Sequence, residues 1–363
     1  MKNAIYTNAA VLGAALLLAF VTPRANAQAG SIIGNLGNAM SVSTVPSNGD
    51  VNPYGVAFVP QGFPAGGKLQ PGDILVSNFN NSMNLQGTGT TIVQVRGNTP
   101  SLFFQGQGAL GLSTGLAVLK AGLVIVANFP TKDGTSATAQ PGSLMGIDYN
   151  GNVVWTYTSS TLVNGPWDFT VNDQGEFAQI FISNVLSGTI SRLDLDVTPT
   201  CVTVANSLQI SSGYGHRGDP AALEVGPTGL AYDARRDVLY VSASYENAIY
   251  AVANAGHITA DGGMGYRIYQ DNNHLHGALA MVLAPNGNLI VTNSDVINSD
   301  TNQPSEMVEF TVDGQFVAER SVDPAQGGAF GLGIMRGEHG VVTFAAVDDN
   351  TSSLDIWTLE LGK

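Results

Sequence analysis

The chain has 363 residues, of which 44% are hydrophobic and only 12% charged, and its net charge is −14. An acidic chain without a Lys/Arg cluster is excluded from the nucleic-acid and anionic-membrane binders, which need dense positive charge. Its one cysteine, Cys201, excludes an intramolecular disulfide, so a packed core has to hold the fold.

Residues 1–27 read as an export signal. Lys2 precedes an apolar stretch from Ala9 to Val21, broken only by Gly13, and Ala25-Asn26-Ala27 has the small-x-small pattern of a cleavage site. The apolar stretch is shorter than the roughly 20 residues that span a bilayer. The expectation is a secreted or periplasmic protein with no membrane span, monomeric, with a short linker over 28–39 and one domain over 40–363. Removing residues 1–27, with Lys2 and Arg24, takes the net charge from −14 to −16.

Beyond residue 27 helical periodicity is almost absent. Short Val/Ile/Thr/Tyr/Phe runs bounded by Gly, Asn, Asp and Pro predict strands throughout. The segment Met40–Val45 is a strand without a repeat of its own. A Gly-apolar-small-apolar run then recurs six times, each followed by a β-rich run ending in a small residue or Asn. Equivalent positions are Gly55, Gly115, Asp168, Gly229, Ala280 and Gly331, spaced 51 to 61 residues apart. Repeats of that period in an all-β chain predict propeller blades. The fourth unit resolves into four strands, Thr228–Tyr232, Val238–Ala243, Ala248–Val252 and Tyr266–Tyr269. The last supplies only three, Gly331–Met335, Gly340–Ala345 and Leu354–Leu359. Met40–Val45 is therefore expected to complete the last blade and close a six-bladed ring, which removes exposed sheet edges. Cys201, within the strand pattern Thr200–Val204, is expected to be a packed thiol.

Gly226-Pro227-Thr228-Gly229-Leu230-Ala231-Tyr232-Asp233 and the run Leu283–Asn293 resemble the repeat core of the six-bladed NHL-repeat and SMP-30/gluconolactonase-like propellers. The resemblance covers most of residues 40–361. It implies a channel metal held by an early Glu with Asn and Asp at inner-strand starts. Here the first unit offers Asn52-Pro53-Tyr54 without a Glu, and the third offers Trp167-Asp168 where Asn-Gly is expected.

Strand order places the loops entering the inner strands on the same face as the hairpins between second and third strands. Three of those hairpins are long: Asn78–Thr91, Asn128–Ser143 and Asn293–Ser305. Long loops on a rigid scaffold are where function concentrates. On extended backbone His274 and His276 would point to one side. His216, Arg217 and Asp219 lead into the preceding blade, and Asp168 would point at the channel mouth. Together these make a candidate polar rim, with Asp168, His274 and His276 the candidate ligands of one divalent metal. Asn293–Asn302 is rich in oxygen ligands but lacks calcium-loop spacing. Gly106–Gly111 and Gly111–Gly115 match dinucleotide-fingerprint and nucleophile-elbow patterns. Both motifs need a following helix, and none is expected here.

Two functions follow. The first is a binding scaffold whose long-loop face, with Asn52, Tyr54, Asn78, Trp167, Arg217, Asp219 and Asn293, holds a protein, peptide, glycan or small-molecule partner. The second is a metal-assisted hydrolase, lactonase or lyase at the mouth, with His274, His276, His216 and Asp168 as catalytic candidates.

Overall fold

The computed structural model describes residues 30–361, so the export signal lies outside the described residues. It is an all-β, six-bladed propeller of six four-stranded antiparallel sheets. The inner strands are Val51–Phe58, Leu112–Leu119, Pro166–Asp173, Pro227–Asp233, Ala278–Leu283 and Ala329–Arg336. In the fourth blade the remaining strands are Val238–Ala243, Ala248–Ala253 and Tyr266–Gln270, within two residues of expectation. Closure is also as expected. Met40–Ser43 pairs with the last strand, Ser353–Glu360, in the register Met40 to Ile356 and Ser43 to Ser353.

The segment read as a linker is partly packed. Ile32, Ile33 and Leu36 are buried against the fifth and sixth blades. The buried Glu309 carboxylate holds them there. Its Oε2 accepts the Ile32 and Ile33 amides at 2.7 and 3.0 Å, and its Oε1 accepts the Asn286 and Asn288 amides at 2.7 and 2.8 Å. A buried charge is tolerable when its lone pairs are met in this way.

All six repeat positions fall in one structural place. Each inner strand leaves its ladder for two or three residues, and Gly55, Gly115, Asp168, Gly229, Ala280 and Gly331 are the last residues of those six irregularities. The ladder bonds lost there are replaced by hydroxyls. The Gly55 amide donates to Ser77 Oγ at 2.9 Å, and Ser77 donates to the Ser113 carbonyl of the next blade at 2.9 Å. Ser183 repeats this between Asp168 and Thr228, and Thr292 between Ala280 and Phe330. At the alternate seams an inner-strand hydroxyl crosses instead. Ser113 donates to the Pro166 carbonyl and Thr228 to the Ala278 carbonyl, each at 2.9 Å. Ser113 is the serine of the apparent nucleophile elbow, and it is a clasp between blades.

The seam from the sixth blade to the first closes on bare backbone. A Cβ on Gly331 would lie 1.6 Å from the Tyr54 carbonyl oxygen, and one on Gly229 2.2 Å from the Leu279 carbonyl oxygen. Cys201 departs from expectation. It begins the outermost strand of the third blade, Cys201–Ser212, and is exposed, because that strand has no neighbour beyond it.

Two substitutions test this account. Ser183→Ala leaves a buried amide and carbonyl short of a partner and should cost about 1–3 kcal/mol. Gly331→Ala forces two backbones apart and should cost at least as much, on the order of 3 kcal/mol. Urea denaturation midpoints measure both. A midpoint unchanged in Gly331→Ala would show that the seam can open freely.

Candidate ligand site at the channel mouth

The residue before each repeat position is the one thrown inward by the irregularity. In four blades it is large: Tyr54, Trp167, Leu279 and Phe330. Tyr54 lies at the centre, with ring centroids 4.8 Å from Phe330, 4.9 Å from Phe79 and 5.8 Å from Trp167. Together with Phe129, whose ring is 6.1 Å from Trp167, these side chains plug the channel. Above the plug lies a cup of about 340 Å³ at the mouth, and below it a chamber of about 470 Å³ at the opposite end.

The larger chamber is the weaker candidate. It is lined mainly by Val, Leu, Ala and Met of the inner strands, and its acid is Asp168. Asp168 therefore points away from the mouth, not at it as expected. Its carboxylate accepts the Phe169 amide at 2.8 Å and the Leu230 amide at 3.3 Å, and burial pushes its pKa up to about 7.

The cup is built from loops. The hairpin after the first blade's second strand contributes Asn80, Asn84 and Gln86, and that of the fifth blade contributes Ser294, Asp295 and Val296. A further two-stranded hairpin, Arg217–Asp219 with Leu223–Val225, rises from the entrance to the fourth blade and crosses the mouth. Gln86 donates to the Ala221 carbonyl at 2.8 Å and Ser136 to Glu224 Oε1 at 2.5 Å, which ties this hairpin to the loops of the first two blades. Leu223 anchors it in the aromatic plug, buried and at φ +65°, a conformation an unbranched-at-Cβ side chain seldom adopts without tertiary support.

Three carboxylates line the cup, Glu224, Asp295 and Asp349, and no Lys, Arg or His does. Burial pushes the Asp349 carboxyl up to about 7, with Asp348 adding to the effect. Burial also raises Glu224, and burial together with Asp349 drives the Tyr54 hydroxyl far above its ordinary range. Asp295 Oδ2 accepts the Ser305 and Gly327 amides at 2.9 and 2.8 Å and so joins two loops, while its Oδ1 is buried without a partner. Asn52 Oδ1, Asn80 Oδ1 and Trp167 Nε1 are likewise buried without partners. Native proteins seldom leave such groups unmet, and a concentration of them around one cup marks a place shaped for something else to complete.

The expected polar rim does not assemble. Of the residues singled out from the sequence, Asn52, Tyr54 and Trp167 line the cup. Arg217 and Asp219 pair with each other at 2.8 Å on the crossing hairpin, and His216 is exposed at its base. Asn78 and Asn293 are structural. Asn78 donates to the Thr44 carbonyl and Thr91 Oγ1, and Asn293 joins the His276 amide to the His274 carbonyl. His274 and His276 share a separate groove within the fifth blade's loops. The backbone there is a turn, not a strand, so the two-residue alternation fails. His274 stacks on Phe316 and contacts Glu319 at 2.6 Å, and His276 Nδ1 meets the Asn298 carbonyl. Among the described residues no three His, Cys, Asp or Glu side chains could hold a metal together, so Asp168, His216, His274 and His276 do not converge. Asp295 lies within the oxygen-rich segment Asn293–Asn302 singled out from the sequence, whereas Asp349 and Glu224 were missed because they belong to loops of two other blades with no shared motif.

No family model matches the chain, and no curated protein matches it. Solved structures do. A gluconolactonase of Xanthomonas campestris is 14% identical, covering 89% of this chain and 91% of its own, with a TM-score of 0.52. A luciferin-regenerating enzyme is 9% identical, covering 89% and 95%, also with a TM-score of 0.52. The fold shared with them is the β-propeller. The likeness is one of fold alone, and fold does not carry function. The channel metal implied by the resemblance does not fit the residues present. Asn52 stands at the first inner strand without a Glu, and Asp168 faces the far chamber and accepts backbone amides.

The raised carboxyls set a pH dependence. An acid with a folded pKa above its unfolded value stabilises the fold below the unfolded pKa, and that contribution is lost as pH rises through the folded one. Asp349 and Asp168 place that loss between roughly pH 4 and 7. Melting temperature should fall between pH 5 and pH 8. Asp349→Asn should flatten the curve, with a gain on the order of 1–3 kcal/mol at pH 8 and a smaller gain at pH 5. Parallel curves for the two proteins would show that Asp349 ionises freely in water.

Proposed function

We propose that this protein is a binding propeller whose site is the mouth cup, and that the long hairpins with the 217–225 hairpin guide into it a small molecule or the terminal group of a peptide or glycan. The observation that carries the reading is the concentration of unpartnered buried polar atoms, Asn52 Oδ1, Asn80 Oδ1, Trp167 Nε1 and Asp295 Oδ1, around one cavity of about 340 Å³. A volume of that size suits a small organic group. The aromatic plug gives it a rigid apolar floor, and the loops carry the polar contacts. In this reading the signal at residues 1–27 exports the chain, and the partner is met outside the cytoplasm.

A second reading is supported by Asp349. A buried carboxyl poised near pH 7 beside Tyr54, in a cup that can admit a ligand, has the properties of a general acid or base. It corresponds to a hydrolase or lyase acting through a carboxyl without a metal step. Turnover of esters, lactones or glycosides that is lost in Asp349→Asn would favour it.

The binding reading is tested by filling the cup. Ala221 is exposed on the crossing hairpin and lines the cup, and only its backbone makes hydrogen bonds, the carbonyl accepting from Gln86 and the amide donating to Asp219. Ala221→Trp should leave the melting temperature within about two degrees of the parent while abolishing the thermal shift given by cup ligands from a charge-diverse small-molecule panel. Thermal shifts that persist undiminished in Ala221→Trp would place binding elsewhere.

A further inference from the structure

Resting on the reading of the mouth cup as a binding site, we propose that its ligand is a small organic molecule held through a primary ammonium group. Three independent features of the cup point the same way. The first is charge. Glu224, Asp295 and Asp349 line it, and no cationic side chain does, in a protein whose net charge is already −14. Among the described residues no group donates a hydrogen bond to the Asp349 side chain, although it is largely buried. Asp295 leaves one oxygen unmet. A poorly solvated carboxyl in this state takes up a proton or is stabilised as the anion by a cation placed beside it.

The second feature is the sense of the unmet hydrogen bonds. Of the four unmet buried atoms on residues lining the cup, three are acceptors, Asn52 Oδ1, Asn80 Oδ1 and Asp295 Oδ1, and one, Trp167 Nε1, is a donor. An R–NH₃⁺ group brings three donors and no acceptor. A quaternary ammonium brings no donor and would leave all three oxygens unmet. The contrast with Glu309 shows that this chain can satisfy a buried carboxylate when the role is structural, since five donors converge on that side chain.

The third feature is the floor. Tyr54, Trp167 and Phe330 present aromatic surface, which attracts a cation through the ring quadrupole and packs the apolar body attached to it. A cavity of about 340 Å³ accommodates that body. A bare metal ion is the poorer match, because no three carboxylate or imidazole groups among the described residues are placed to ligate one ion.

Three ligands of the same shape separate the possibilities: 2-phenylethylamine, 2-phenylethanol and 3-phenylpropionate. Isothermal titration should show the amine binding at least tenfold more tightly than the alcohol, and no binding of the acid. Asp349→Asn should weaken the amine about tenfold and leave the alcohol unchanged. Glu224→Gln, which can still accept from Ser136, should weaken the amine in the same sense and serves if Asp349→Asn does not fold. The proposal is overturned if the alcohol or acid binds as tightly as the amine, or if both variants bind the amine with parental affinity. Binding of the alcohol that is still lost in Ala221→Trp would then leave the cup as a site for neutral ligands. Should none of the three show any binding sensitive to Ala221→Trp, while other panel compounds do, the ammonium assignment falls and the cup reading survives. If no compound of any charge is sensitive to that substitution, both fall.

Discussion

The structure depends on one recurring irregularity. In every blade the inner strand steps out of its ladder at the same place, and at five of the six seams a Ser or Thr hydroxyl there donates to a carbonyl of the next blade. Leaving ladder groups unmet in a buried place would be costly. The hydroxyls remove that cost and couple neighbouring blades in the same step. A chain with no disulfide, built from six sheets that share no strands except at closure, needs such ties. At the sixth seam glycine does the work by letting the backbone at Gly331 lie directly on the Tyr54 carbonyl.

The same irregularity makes the candidate site. Stepping out of the ladder turns the residue before each repeat position toward the axis, so the identity of that one residue decides what fills the channel. Tyr54, Trp167, Leu279 and Phe330 close it, and their neighbours Thr114 and Thr228 are too small to do so. A plugged channel becomes a cup with a rigid floor. The variable hairpins then decide its chemistry without disturbing the ring. That division of labour explains how a carboxyl as poorly solvated as Asp349 is tolerated at the mouth. The clasps and the apolar blade interfaces hold the fold, and the cup carries the unfavourable burial of Asp349 and the left-handed turn at Leu223.

Burial alone does not tell a structural carboxylate from a candidate ligand-binding one. Glu309 is fully buried and fully met, and it fastens the N-terminal segment to the fifth blade. Asp168 is buried and meets two amides on its own and the neighbouring inner strand. Asp349 is largely buried and accepts from no group among the described residues. Partner counts separate these cases where residue type cannot.

Six repeats, their strand boundaries and a closing strand starting at Met40 were legible in the amino-acid sequence. The repeats are one local pattern met six times, which makes a weak local signal strong, and the closing strand follows from the strand missing in the last unit. The position of Asn52, Tyr54 and Trp167 at the channel mouth was legible too, because inner-strand starts converge on the axis by topology alone. The histidines misled. A turn at 271–277 separates His274 from His276, and no spacing rule reveals a turn of that kind inside a segment that reads as extended. Asp168 misled because facing up or down the channel depends on its place within the strand irregularity, which becomes visible only once the ladder is drawn. The hairpin at 217–225 and the meeting of Glu224, Asp295 and Asp349 were decided by tertiary structure. They come from three blades, far apart in sequence, and only the closed ring brings them around one cup.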